Sequence, residues 1–233
     1  MITSDEFETR AVARVQLDEY KGNIFDAVRQ DDENLLNSFF VVHGSDWVLN
    51  IRNTHQDEGN RTVLHTAAFW RSIKCTEVLL VRGARVNVSD TVYCHVSPLL
   101  EAARAGHALV CNALLGKGAD VGWQDANGDT CFHWCARKGN GALLNNLILI
   151  ADKCRLGSAS SGLGIKNNRG KTCLDIAKNE TVAELIRRNA TKVSNEKRLL
   201  LHKFKKGLGK AKIVGKNLES AKVLRNKHKR YGE

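Results

Sequence analysis

The sequence predicts an all-α repeat solenoid, a stack of helix pairs with short hairpin loops, followed by a basic and largely flexible C-terminal tail. A seven-residue repeat frame occurs four times, starting at Thr62, Ser97, Thr130 and Thr172. These starts are separated by 35, 33 and 42 residues, and a period of thirty-odd residues is typical of stacked helical repeats. A glycine follows 21 residues after each of the first two starts, at Gly83 and Gly118, where a helix is expected to end.

Each repeat frame is predicted to open the first helix of a pair. Thr62 stands where an N-cap hydroxyl accepts from backbone N–H groups, and Leu64, Ala67 and Ala68 follow at helical spacing. His65 and His133 occupy the same place in their frames, and we expect them to hydrogen-bond to turn groups rather than to act as ligands or bases. One pair cannot bury its apolar stripe alone, so neighbouring pairs must stack to form a continuous core.

The frame Thr62-Val63-Leu64-His65-Thr66-Ala67-Ala68 and the later Gly118-Ala119-Asp120-Val121 resemble the ankyrin repeat. The resemblance implies an extended slab of helical hairpins. It also implies that a protein partner binds the concave face, which is formed by the hairpin tips and the first helix of each repeat.

The predicted divisions follow the frame in chain order. Residues 1–57 hold an N-terminal helix at 4–20 and a degenerate capping repeat, and residues 58–90 and 91–125 are complete repeats. Residues 126–165 form a repeat with a Gly/Ser-rich insertion, and residues 166–187 form a truncated repeat. Residues 188–233 form the basic tail. The third repeat departs from the pattern, because Ala151 stands where glycine is expected. A polar hairpin is predicted to end at Gly59-Asn60-Arg61.

The charge of the chain is concentrated in the tail. Residues 187–233 contain 16 Lys and Arg against three acidic residues, whereas residues 1–186 contain 20 basic and 22 acidic residues. We expect the tail to dock on an acidic protein surface, on RNA or DNA, or on an anionic membrane. The cations expected to make this contact are Lys203, Lys205, Lys206, Lys210, Lys212, Lys227, Lys229 and Arg230. Aromatic residues are sparse there, so nucleic-acid binding would be led by the phosphate backbone.

The seven cysteines contain no CxxC pair, and several fall on predicted core positions as small hydrophobic residues. The acidic start has no secretory signal, and the longest apolar run is too short for a transmembrane segment. These features predict a reducing location, the cytosol or the nucleus.

Two motifs suggest chemistry without meeting its requirements. Gly170-Lys171-Thr172 ends like a phosphate-binding loop, but Ile165 occupies the place of the required first glycine. Cys131, His133 and Cys135 crowd together, yet His133 points away from the shared helix face of the two cysteines. We therefore predict no metal, no cofactor and no catalytic residues.

The predicted protein-binding residues lie at positions five, eight and nine of the frames and at the hairpin tips. They are Phe69, Trp70, Tyr93, Glu101, Arg104, Trp123, Trp134, Arg137 and Lys138. Aromatic residues interleaved with arginine are typical of protein-binding hot spots. Two alternatives stay open: a terminal segment could bury Trp70 and Trp134, and Trp123 could simply pack between hairpins.

The sequence favours a non-catalytic adaptor that binds a protein partner on the concave face and an acidic partner through the tail. The alternatives are a nucleic-acid- or ribonucleoprotein-associated factor bound through the tail, and a peripheral membrane scaffold. The identity of the partner and the oligomeric state are left open.

Overall fold

The computed structural model describes residues 4–54, 60–90, 94–153 and 162–191. The helices are α1 Ser4–Glu19, α2 Ile24–Arg29, α3 Glu33–His43, α4 Ser45–Asn50, α5 Val63–Trp70, α6 Ile73–Val81, α7 Pro98–Ala105, α8 Ala108–Gly116, α9 Cys131–Lys138, α10 Gly141–Lys153 and α11 180–191. Two short strands, β1 Arg52–Asn53 and β2 Arg61–Thr62, pair antiparallel, with Arg52 opposite Thr62. Contacts divide the chain into two units, Met1–Arg187 and Arg188–Glu233.

The helices form two parallel rows, which confirms the predicted repeat solenoid. The first helices of the pairs, α2, α5, α7 and α9, pack against one another in chain order, and so do the second helices, α3, α6, α8 and α10. Helix α1 packs on α3 at the N-terminal end of the array. One continuous hydrophobic core runs from Ile24 to Ile186. The tail beyond residue 191 lies outside the described residues, so its predicted flexibility stays a prediction.

The predicted hydrogen bonds of the frame histidines to turn groups are confirmed. The Nδ1 atom of His65 accepts from the backbone N–H of Thr62 at 3.3 Å, so Nε2 carries the proton and donates to the carbonyl oxygen of Val96 at 3.0 Å. His133 repeats this arrangement with Thr130 and with the carbonyl oxygen of Lys171. Each ring therefore fastens the start of one repeat to the hairpin before the next repeat.

Small side chains are buried on first helices that pack against each other. Ala67, Ala68, Ala102 and Ala103 are at most 2 % exposed, so the first helices can approach closely. The buried thiols behave as small hydrophobic groups, since burial raises the pKa of Cys75 and of Cys111 to about 12. At neutral pH these thiols are therefore protonated and unreactive.

Two features of the fold do not follow from the repeat frame. Helix α4, Ser45–Asn50, stands between the capping repeat and the β1–β2 pair and buries Val48. Helix α10 continues past the place where glycine ends the earlier repeats, because Ala151 is helical and fully buried. The predicted Gly/Ser-rich loop spans Gly157 to Gly164, and its residues 157–161 lie outside the described residues.

Glycines stand in the left-handed backbone region at the turns, as predicted for Gly83 and Gly118, with φ of 88° and 86°. Gly128 also has positive φ, and a Cβ atom there would lie 2.7 Å from the backbone nitrogen of Asn168 in the next hairpin. A Cβ atom on Gly118 would meet no atom within 4 Å.

Gly128→Ala should therefore destabilise the protein more than Gly118→Ala. Both changes carry a left-handed strain of about 1 kcal/mol, but only the first forces neighbouring backbone apart, which adds about 1 to 3 kcal/mol. Urea denaturation of the two variants measures the difference. Equal losses of stability would show that the two hairpins do not contact at Gly128.

Candidate protein-binding surface

Aromatic and arginine side chains lie close together on and beside the first helices of the repeats. We call this surface the aromatic–arginine strip and define it as Arg29, Arg61, Phe69, Trp70, Arg104, Trp134 and Arg137. Its members come from α2, β2, α5, α7 and α9 in turn, so the stacking of the repeats aligns them. The strip contains five of the nine residues predicted from the repeat frame, and Arg29 and Arg61 are additional.

The first group of the strip is centred on Phe69 and Trp70, whose rings meet edge to face with centroids 5.6 Å apart. The guanidinium of Arg29 lies over the Trp70 ring at 5.9 Å, and those of Arg61 and Arg104 lie over Phe69 at 5.4 and 5.8 Å. Such cation–π contacts restrain both partners. Trp70 nevertheless remains 51 % exposed to solvent among the described residues.

Glu101 lies beneath this group and holds two of its arginines. Its side chain is fully buried, with Oε1 2.5 Å from Nη2 of Arg61 and Oε2 accepting from Nη2 of Arg104 at 2.6 Å. The arginine side chains keep 20 % and 34 % of their surface exposed. Glu101 was predicted as a contact residue; its burial gives it the role of positioning Arg61 and Arg104.

The second group of the strip is built on Trp134 and Arg137 of α9. The indole Nε1 of Trp134 donates to Oδ2 of Asp125 at 3.0 Å, and the Arg137 guanidinium lies 4.9 Å from the ring centroid. Arg137 also donates to Oδ2 of Asp129 at 2.5 Å, and the other Asp129 oxygen accepts from Asn167. Asp129 is 1 % exposed, whereas the side chain of Arg137 is 42 % exposed.

The remaining predicted residues fall in three places. Lys138 is exposed at the end of α9. Trp123 is half-buried, packs on the core and donates from Nε1 to the carbonyl oxygen of His95 at 2.7 Å, which favours the alternative of packing between hairpins. Tyr93 lies outside the described residues. So do all the predicted tail cations: Lys203, Lys205, Lys206, Lys210, Lys212, Lys227, Lys229 and Arg230.

Arg61 and Arg29 could not be recognised from positions five, eight and nine of the repeats. Arg61 is the residue directly before a frame start, at the end of the predicted polar hairpin, and Arg29 ends the first helix of the capping repeat. A cation immediately before a frame threonine is the signal that could have identified Arg61. Its contact with Glu101 spans 40 positions and follows from the packing of α5 on α7.

The described residues contain neither a cluster suited to a metal ion nor a helix suited to spanning a membrane. In that part of the chain, no three His, Cys, Asp or Glu side chains are arranged to hold a metal ion. Nor does any described helix combine the length and apolarity needed to cross a bilayer.

Comparison with known proteins agrees with the repeat architecture. Residues 59–91 match the ankyrin repeat, and residues 95–202 match the description "Ankyrin repeats (3 copies)". The chain is 32 % identical over 123 residues to the E3 ubiquitin-protein ligase KEG of Arabidopsis thaliana, covering 52 % of this chain and 7 % of that protein. It is 39 % identical over 75 residues to the ankyrin repeat domain-containing protein SAT10 of Stachybotrys chartarum, covering 32 % of this chain and 4 % of that protein.

The matched segments cover most of the array described above. Their boundaries begin just before the frame threonine at 62 and extend past α11. Ankyrin repeats are modules of protein–protein interaction. The chain belongs to the ankyrin-repeat family.

Proposed function

We propose that this protein is a non-catalytic adaptor that captures a protein partner on the aromatic–arginine strip. The observation that carries the proposal is Trp70, a large aromatic side chain that is 51 % exposed yet restrained by Phe69 and Arg29. A restrained aromatic side chain loses little conformational entropy on binding, which is why such residues serve as anchors. The strip belongs to the face that the family resemblance predicts to be concave.

The state of the titratable groups near the strip supports a binding role over a catalytic one. Glu101 and Asp129 are engaged by arginines, and both ring nitrogens of His65 and of His133 are hydrogen-bonded. A general base or nucleophile needs an atom that can reach the substrate. The ligase activity named for one relative is not carried over, because the aligned segment is only 7 % of that protein.

Trp70→Ala should weaken capture of the partner about tenfold or more, in line with the loss of a hot-spot anchor of about 2 kcal/mol. The free energy of unfolding of the Trp70→Ala variant should change little, because half of the Trp70 side chain is already in solvent. The matched control is Leu109→Ala, which removes a side chain that is 57 % exposed on α8. Quantitative affinity capture from cell extract, with urea denaturation of each variant, measures both effects. Equal loss of partners in the two variants would contradict the proposal.

Trp134→Ala is expected to change stability as well as binding, because the Trp134 indole is partly buried and donates to Asp125. A protein in which Trp70 and Trp134 are both alanine therefore tests stability as well as binding. The Trp70→Ala variant alone gives the cleaner measure of the anchor.

The basic tail is proposed to dock on an acidic partner surface, which is supported by the 15 Lys and Arg against three acidic residues in residues 188–233. The alternatives of RNA or DNA binding and of anionic membrane binding rest on the same charge. Deletion of residues 188–233, followed by separate assays of partner capture, RNA binding and vesicle binding, distinguishes the three. The free thiols found among the described residues are compatible with the proposed cytosolic or nuclear location.

A further inference from the structure

We propose that the aromatic–arginine strip recognises an acidic segment of a partner protein, whose carboxylates contact Arg104 and Arg137 while an apolar side chain covers Trp70. The inference rests on the proposed function and names the chemistry of the partner. It concerns the repeats alone and is independent of the basic tail.

The positive groups of the strip are at least partly exposed, whereas three of the four carboxylates beside them are buried. Six cations lie on the strip or at the adjoining helix ends: Arg29, Arg61, Arg71, Arg104, Arg137 and Lys138. Four carboxylates contact strip residues: Asp26, Glu101, Asp125 and Asp129. Glu101, Asp125 and Asp129 are 0 %, 7 % and 1 % exposed, whereas the side chain of Asp26 is 33 % exposed beside Arg29. Around Arg104 and Arg137, a partner therefore meets guanidinium groups rather than carboxylates.

The arginines are also held in place before any partner binds. Glu101 fixes Arg61 and Arg104, the Phe69 ring lies against both guanidiniums, and Asp129 fixes Arg137. A guanidinium has five N–H donors, so one that bonds a buried carboxylate retains donors for a second carboxylate. Preorganised arginines lose less side-chain entropy on binding than free ones do. This arrangement fits the fork-like pairing of arginine with a carboxylate.

The charge of the repeats favours an acidic protein over a nucleic acid. The six cations exceed the four carboxylates by two, and residues 1–186 as a whole hold 20 basic and 22 acidic residues. Backbone-led binding of DNA depends on many phosphate contacts, roughly six to ten for tight binding. A local excess of two charges around an exposed tryptophan instead suits a short acidic segment with one apolar anchor.

The test uses the full-length protein and a synthetic peptide of alternating glutamate and serine with one central photoreactive apolar residue. A second peptide with lysine in place of every glutamate serves as the control probe. After illumination, mass spectrometry identifies the residues that carry the adduct. We expect adducts of the glutamate peptide at Phe69 to Arg71 and on α9, decreasing as salt concentration rises.

Arg104→Gln combined with Arg137→Gln should reduce these adducts about tenfold, since each lost pair weakens binding several-fold. The control is Lys74→Gln combined with Lys117→Gln, which removes the same number of charges from exposed positions on α6 and just after α8. This control should leave the adducts unchanged. Should the arginine variant lose its helical circular dichroism, Arg71→Asn with Lys138→Gln removes two exposed cations instead. Asparagine tolerates the left-handed backbone of Arg71, whose φ is 63°.

Adducts confined to residues 188–233, or equal labelling of the strip by the lysine peptide, would overturn the inference. So would labelling that the arginine changes do not reduce. Protection of the strip from labelling by duplex DNA, in preference to the unlabelled glutamate peptide, would overturn it as well. Failure of the inference and failure of the proposed function are distinguishable. A natural partner whose capture depends on Trp70 but not on Arg104 or Arg137 would leave the adaptor function standing.

Discussion

Replacing Glu101 by alanine should lower the free energy of unfolding by about 2 to 3 kcal/mol, because removal of a fully buried carboxylate leaves Arg61 and Arg104 uncompensated. The loss falls below that of a completely buried pair, since both guanidiniums retain some contact with water. Glu101→Gln keeps the size and the acceptor oxygen of the side chain and should lose less. Urea denaturation at neutral pH, with the m-value compared between variants, measures the change.

The chain offers a matched control for this prediction in the exposed pair between Glu180 and Arg187. Their side chains are 70 % and 53 % exposed, so Glu180→Ala should produce no measurable change in stability. The same small effect for Glu101→Ala would contradict the assignment of Glu101 as the residue that holds the two arginines. Glu101→Ala should also weaken partner capture, because Arg61 and Arg104 would no longer be fixed beside Phe69.

Acidification should destabilise the protein through His65. Burial lowers the pKa of His65 from 6.5 to about 4, partly offset by the hydrogen bond to Val96. The folded state therefore holds the neutral ring while the unfolded state takes up a proton. The stability due to this group is fully present above pH 6.5 and is lost as the pH falls from 6.5 to about 4, amounting to about 3 kcal/mol.

The measurement is urea denaturation of the wild type and of His65→Gln at a series of pH values. Carboxylates that titrate in the same range contribute to both proteins, so the difference isolates His65. The wild type should show the steeper loss, and His95→Gln, which alters an exposed ring, should follow the wild type. Parallel curves for wild type and His65→Gln, or an NMR titration of His65 with a midpoint near 6.5, would contradict the prediction.

Much of the fold could be predicted from the sequence because the repeat frame encodes local structure. Thr62 and His65 lie three residues apart, and one turn of helix brings the hydroxyl and the ring together. Gly83 and Gly118 mark turns that need positive φ. Helix α4 escaped prediction because its six residues, Ser45–Asn50, are too few to show a helical period.

The repeat frame indicates where the candidate residues lie along the first helices but not how deeply each side chain is buried. Position five is interior in the first two frames, where Thr66 and Glu101 are 2 % and 0 % exposed, but Trp134 at the same position of the third frame is only partly buried. Positions eight and nine lie nearer the helix ends, where Trp70 and Arg137 reach solvent. Burial depends on the neighbouring repeat, and the ion pairs of Arg61 and Arg137 with buried carboxylates depend on tertiary packing. A single frame contains neither kind of information.

The central claim is that the aromatic–arginine strip binds a protein partner. Its most direct test places the photo-cross-linking residue benzoylphenylalanine at position 70 or at position 109 of the full-length protein, each originally an exposed apolar residue. We predict a discrete covalent adduct with a partner protein from position 70, suppressed by excess unlabelled wild-type protein, and none from position 109. Equal cross-linking from both positions, or none from position 70 while the partner is still captured, would contradict the account.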